Sequence, residues 1–175
     1  MPRDQGRGRE EPRLVFEAMF VQHYSRVLAY SLRRAPGTAQ DVVSEVFLTA
    51  WRRLEEVPAD ALPWLLGVAR KVIANDRRAI ERRPTVSLVD LDRTGDPDAG
   101  AFERLEVAEA FRRLPEQDRE ILMLVAWDGL SPARAARVLG CSTPAFYVRL
   151  HRARTRLSRA LEAPDAAALT PREVE

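Results

Sequence analysis

Apolar residues recur three and four positions apart along most of the chain, and runs alternating with a period of two are scarce. The first helical stretch is predicted from about Pro12 to Arg34, with Phe16, Met19, Phe20, Tyr24, Val27, Leu28 and Leu32 on its apolar side. Pro36-Gly37 breaks it. Thr38 is placed to cap a second helix, and Asp41 sits in its first turn, where the helix dipole favours a negative charge. Val42, Val43, Val46, Phe47, Ala50, Trp51 and Leu54 form the stripe of that helix, and Pro58 ends the segment. A third helix follows from about Ala61 to Arg82, with Trp64, Leu65, Val68, Ala69, Val72 and Ile73 facing inward. Three such helices can close one small bundle.

Residues 84–101, PTVSLVDLDRTGDPDAGA, contain two prolines, two glycines and four aspartates, and read as an acidic linker at a domain boundary. Helical spacing resumes near Phe102, breaks at Leu114-Pro115 and continues from Glu116 to Trp127 before the Asp128-Gly129 turn. Ser131-Pro132 is a strong helix start, a cap followed by proline in the first helical position. Gly140 stops that helix after about two turns, and Cys141-Ser142-Thr143-Pro144 opens another that runs to about Arg159. A short helix, a glycine turn and a longer helix have the spacing of a helix-turn-helix. The fold expected is all-α: two small helical domains, 14–83 and 102–161, joined by the linker, with a disordered tail at 1–13 and a second tail at 162–175.

Charge sharpens this picture only once it is divided. The 175 residues carry 28 basic and 26 acidic side chains, a net charge of +2. Residues 1–61 are neutral overall, 62–83 carry +4, 84–128 carry −6, 129–161 carry +7 without a single acid, and 162–175 carry −3. Two basic segments separated by an acidic one suit two contacts with one polyanion. With 46% hydrophobic residues the composition is that of an ordinary soluble globular protein. One cysteine, Cys141, excludes an intramolecular disulfide, and with only His23 and His151 beside it no structural metal site is expected. The polar amino terminus carries acids and does not read as a signal peptide, and no apolar run reaches the ~18 residues of a membrane span. The cytoplasm is the expected compartment, with no membrane insertion.

The stretch FRRLPEQDREILMLVAWDGLSPARAARVLGCSTPAFYVRLHRARTRLSRAL resembles the sigma-four domain of a bacterial extracytoplasmic-function (ECF) sigma factor, with RLPEQDREILML, GLSPARAARVLG and VRLHRARTRL its most typical fragments. Upstream, FVQHYSRVLAYSLRR, DVVSEVFLTAWRR and PWLLGVARKVIANDRR resemble the sigma-two domain of the same family, in the same order. The resemblance covers roughly residues 14–161. It implies a protein that binds core RNA polymerase and directs promoter-specific initiation, with no catalysis, cofactor or small-molecule substrate of its own.

The resemblance also distributes roles. The segment 41–53 would dock on the clamp helices of the largest polymerase subunit through Asp41, Glu45, Leu48, Trp51 and Arg52, although Trp51, like Phe47, lies on the stripe that favours the core. Residues 62–83 would read and melt the −10 element. Arg70, Lys71, Arg77, Arg78, Arg82 and Arg83 supply charge, Asn75 can bond a base edge, and the preceding loop, which contains Asp60, would hold the flipped base. Lys71 and Asn75 stand where the family commonly has asparagine and aspartate, which leaves the −10 preference open. The −35 element would be read by the last helix, with Tyr147, Val148, His151 and Arg152 toward base edges and Ser131, Arg134, Thr143, Arg149 and Arg154 at the backbone or flanks. Tyr147 stands where the family often has a basic residue, exchanging a cationic contact for a thymine methyl contact or a phenolic hydrogen bond. An anti-sigma factor is a further expected partner.

The alternative is a stand-alone helix-turn-helix regulator, which would ordinarily need a dimerisation surface, and no coiled-coil heptads are visible. An enzyme finds no support: there is no phosphate-binding glycine loop, no Ser-His-Asp set and no metal-ligand spacing.

Overall fold

Most residues of the predicted apolar stripes become buried or half-buried helix faces, but Phe20, Leu32 and Trp51 stay exposed. The computed structural model describes residues 7–81 and 101–162, and these form seven α-helices with no strand among the described residues. They are α1 (Arg7–Arg34), α2 (Ala39–Arg52), α3 (Ala61–Glu81), α4 (Ala101–Arg113), α5 (Glu116–Ala126), α6 (Pro132–Leu139) and α7 (Thr143–Glu162). The all-α expectation therefore holds. Residues 84–100 of the expected linker, Arg82, Arg83 and the last thirteen residues lie outside the described segments.

Two compact units emerge. In the first, α1, α2 and α3 pack mutually around Val27, Val42, Val46, Leu62, Leu65 and Ala69, which are essentially inaccessible to solvent. Ser31 is buried among them and returns its hydroxyl to the Val27 carbonyl at 2.9 Å, so no polar atom of that side chain is left unpaired. Two local expectations are corrected. Helix α1 begins at Arg7 rather than Pro12, so residues 7–13, expected as a disordered tail, are helical, and Pro12 lies inside the helix. The Arg13–Glu17 ion pair one turn apart supports this end. Thr38 does not cap α2 with its side chain, because it closes a 3₁₀ turn over Pro36–Thr38 and its amide donates to the Ala35 carbonyl at 3.1 Å.

The second unit contains α4, α5 and α7. Leu114-Pro115 turns α4 into α5, and the Arg119 guanidinium ties the corner by donating to the Arg112 and Leu114 carbonyls at 2.7 and 3.1 Å. Ile121, Leu122 and Leu124 of α5 and Phe146, Leu150 and Ala153 of α7 are buried. Asp118 is buried on α5, and Arg156 of α7 neutralises it through a direct ion pair. A buried carboxylate without such a partner would cost several kcal/mol, on the order of 3–5.

Residues 130–143, which the sequence reading kept with the second domain, group with the first unit. Helix α6 packs on α3, and the reason is small side chains. Ala135 and Ala136 are buried, and Gly67 on α3 lets the backbones approach until a Cβ there would lie 3.7 Å from the Val138 carbonyl oxygen.

Candidate nucleic-acid and protein interfaces

The turn after α6 is built as its residues dictate. The Ser131 hydroxyl accepts the Arg134 amide at 3.4 Å, capping the helix behind Pro132. At the other end Gly140 adopts φ 65°, the Gly140 amide donates to Arg137 and the Cys141 amide reaches back to the Ala136 carbonyl at 3.0 Å. This is the Schellman arrangement, and a side chain at Gly140 would be strained in it. Three residues after Gly140, α7 begins.

On α7 the buried residues Phe146, Leu150 and Ala153 define one side. At 100° per residue the centre of the opposite side falls among Tyr147, Val148, His151 and Arg152, and all four are exposed. Tyr147 is 56% and Val148 52% exposed, so the band presents apolar as well as polar groups. Arg149 and Arg154 are exposed on the two flanks of this band. Thr143, half-buried, is the first residue of the helix. Ser131 is exposed, but its hydroxyl is occupied as a cap, and Arg134 is held by Asp60.

On α3, Lys71, Asn75 and Arg78 lie at successive turns of one exposed stripe, opposite buried Leu62, Leu66, Ala69 and Ile73. Arg78 folds back onto the Ala74 carbonyl at 3.1 Å, and exposed Arg77 donates to the Arg34 carbonyl at 3.1 Å, tying α3 to the end of α1. Arg70 is half-buried. Trp64 is half-buried too, at the border between stripe and core.

On α2 the buried set is Val42, Val43, Val46, Phe47 and Ala50. Asp41, Glu45, Leu48 and Arg52 recur at four, three and four residues on the opposite, exposed face. Phe47 is core, as its place in the stripe predicts, but Trp51 is not: it is 47% exposed and packs edge-on against Phe16 at 5.1 Å between ring centres. Phe16, Phe20, Tyr24 and Phe47 continue this into an aromatic ladder between α1 and α2. Sequence reasoning missed the ladder because two helices contribute to it.

One further constellation spans three segments far apart in sequence. Asp60, in the loop before α3, accepts from Arg134 and Arg137 of α6, and His23 of α1 shares its electrostatic surroundings. Burial pushes the Asp60 carboxyl up, but the two guanidinium donors more than offset this and hold it below the usual carboxylate range. Burial, followed by the positive charge of Arg26, lowers His23 from its ordinary 6.5, with Arg134 adding to this and Asp60 opposing it. With the folded value depressed, the unfolded chain binds the proton first as pH falls, so stability is lost below about 6.5. The melting temperature of the first unit should therefore drop as pH is taken from about 7.5 to about 5.5, and His23→Gln should flatten that profile. A wild-type profile already flat there would contradict the burial of His23.

Comparison with known proteins identifies the family. Residues 19–83 match the family described as Sigma-70 region 2, and residues 104–157 match Sigma-70, region 4. The chain is 32% identical over 147 residues to the ECF RNA polymerase sigma factor SigL of Mycobacterium tuberculosis, covering 78% of this chain and 83% of that one. Among solved structures it is similar to CnrH in complex with the cytosolic domain of CnrY, at 28% identity and a TM-score of 0.55, over 86% of this chain and 89% of that one. The same fold is seen in the sigma factor RpoE of Bartonella quintana, solved with the anti-sigma factor NepR, at 23% identity and a TM-score of 0.57 over 90% and 98% of the two chains. A helix-turn-helix whose second helix carries five arginines and a single acid, Glu162 at its end, preceded by a three-helix unit whose second and third helices expose charged faces, belongs to a known pairing: this chain is a member of the ECF family of RNA polymerase sigma factors.

Proposed function

We propose how the sigma-factor role is divided among the residues of this chain. The α2 face of Asp41, Glu45, Leu48 and Arg52, with Trp51 at its edge, docks on core RNA polymerase. The α3 stripe of Lys71, Asn75 and Arg78, with Arg70, Arg77, Arg82 and Arg83, tracks the displaced strand at the −10 element, and the loop carrying Asp60 borders it. The outward band of α7 reads the −35 element. Val148 and Tyr147 suit a thymine methyl, His151 and Arg152 suit base acceptors, and Arg149 and Arg154 suit phosphates on either side. The two domains are 14–83 and 102–161, joined by the acidic linker. The protein performs no chemistry of its own and acts in the cytoplasm. No described helix is long and apolar enough to cross a membrane.

The observation that carries this reading is the α7 face. A helix that buries Phe146, Leu150 and Ala153 and turns Tyr147, Val148, His151 and Arg152 to solvent, within 33 residues lacking any acid, is built for a polyanion with apolar edges. Since CnrH and RpoE were solved with a bound partner, CnrY and the anti-sigma factor NepR respectively, an anti-sigma factor is proposed as a partner here as well.

The test is to reconstitute core polymerase with the protein on genomic DNA and sequence the transcripts. Start sites sharing one pair of −35 and −10 elements are expected. Arg152→Ala should lower initiation at them by roughly 5- to 100-fold, the loss of one good base contact of about 1–3 kcal/mol. Tight binding to promoter duplex by the free protein with no association with core polymerase would favour the stand-alone regulator instead.

A further inference from the structure

Helix α1 carries a second apolar row that the three-helix unit does not use. Met19, Val27 and Tyr30 are buried in the bundle that α1 forms with α2 and α3. Leu14, Ala18, Val21, Ser25, Leu28 and Leu32 recur at alternating steps of four and three residues on the other side of the helix. At about 100° per residue the six fall within an arc of about 80°, centred roughly opposite the buried set. Leu14 is 64%, Val21 80% and Leu32 46% exposed, Ala18 and Ser25 are exposed, and Leu28 is half-buried. In the sequence this row is hidden, because Phe16, Met19, Phe20 and Val27 interleave with it and make α1 apolar on every side. Burial separates the two sets. Apolar residues scattered singly over a surface need no explanation, but a continuous row at the spacing of a coiled-coil seam does.

The row also fits itself. Laid antiparallel on a second copy about a twofold axis, it opposes Leu14 to Leu32, Ala18 to Leu28 and Val21 to Ser25 of that copy, each layer occurring twice. Small side chains thus meet larger ones in four of the six layers. A parallel pairing would oppose Ala18 to Ala18 and Ser25 to Ser25, leaving two layers with no large side chain, and would set Glu11 against Glu11 in the next layer of the row. The antiparallel pairing instead brings Glu11, at one end of the row, to the end that carries Arg33 in the second copy. Val15, Gln22 and Ala29 along one edge are uncharged, and Glu17 on the other edge is already paired with Arg13, so no like charges are forced together.

We propose that the outward side of α1 is a self-association surface, through which two copies of the free protein form a twofold, antiparallel dimer. None of the six residues belongs to the surfaces proposed above for polymerase or DNA, so this property lies beyond the sigma-factor role. The alanine and serine layers bury little, and the dimer is a weak one, with a dissociation constant of about 10–300 µM.

The test is sedimentation equilibrium of the full chain from about 5 µM to about 1 mM, where the mean mass is expected to rise from monomer toward dimer. Val21→Lys should weaken association by about 30-fold or more, because each dimer loses two valine contacts and must cover two ammonium groups. Its thermal melt should match wild type, since Val21 is exposed in the monomer, and this separates lost pairing from lost fold. Register is read by oxidation in a Cys141→Ser background. A mixture of Val21→Cys and Ser25→Cys proteins should form the mixed disulfide faster than either protein links to itself, because only the antiparallel layers bring these two positions within reach of a disulfide. A monomer throughout the concentration range, an association that Val21→Lys leaves unchanged, or self-linking of Val21→Cys that outruns the mixed pair would each overturn the proposal. Neither polymerase nor DNA enters these measurements, so their outcome is independent of the proposed function.

Discussion

Phe146→Ala is expected to destabilise the second unit by about 3–5 kcal/mol and to abolish −35 duplex binding. The ring is fully buried, and together with Leu150 and Ala153 it forms the only buried side of α7 among the described residues. Removing it deletes most of the apolar surface near the start of the helix and leaves a cavity that a small unit cannot readily close. A domain of this size has a total stability of about 5–15 kcal/mol at most, so one such loss takes a large fraction of it. Urea unfolding followed by circular dichroism measures the effect. The neighbouring change Tyr147→Ala gives the contrast. Its side chain is exposed, so stability should move by no more than about 0.5 kcal/mol while duplex affinity changes. A stable Phe146→Ala protein with intact duplex binding would show that α7 does not pack through this face.

The second large effect is on partner binding. If the proposed α2 face docks on core polymerase through its acidic groups, Asp41→Arg combined with Glu45→Arg should weaken that association by about 100-fold or more, because like charges placed across a complementary interface cost several kcal/mol. Both residues are exposed one turn apart on α2, and the core set Val42, Val43 and Val46 is untouched. The fold should therefore survive, with Asp41 giving up only the favourable dipole contact of the first turn, about 0.3–1 kcal/mol. Fluorescence anisotropy against core polymerase, beside a thermal melt of the free variant, separates the two quantities. Wild-type affinity in the double variant would place the docking face elsewhere on the chain.

Much of this was legible before any coordinates. Helices α1 to α7 follow from apolar spacing, and the stop at Gly140 and the cap at Ser131 follow from local chemistry acting over four or five residues. The orientation of α7 was equally accessible, because once one face of a regular helix is buried its periodicity assigns the other. Thr38 shows the limit of local signals. A threonine before a helix is a good cap only if its backbone is free to present the hydroxyl, and the Pro36–Thr38 turn uses that backbone otherwise. Trp51 shows another limit. Its place in the stripe predicts burial, but α1 covers Phe47 more completely than Trp51, and the indole is left half in solvent against Phe16.

By itself, then, the sequence determined the helical class, the position of the turn-linked helix pair, the separation of charge into basic and acidic segments, and the family. The first three depend on neighbours within one or two helical turns or on composition summed over a segment, and the family rests on the resemblance of whole fragments such as RLPEQDREILML and GLSPARAARVLG. Only the tertiary structure decided that Arg156 neutralises buried Asp118, that Trp51 faces outward, and that Asp60 holds Arg134 and Arg137. Those depend on which surfaces meet across 35 to 77 residues of chain, and no periodicity records it. The basic count of residues 129–161 was correct as a sum. Two of those seven charges are already paired with one carboxylate, and the fold rather than the count sets how much of the charge is free to meet DNA.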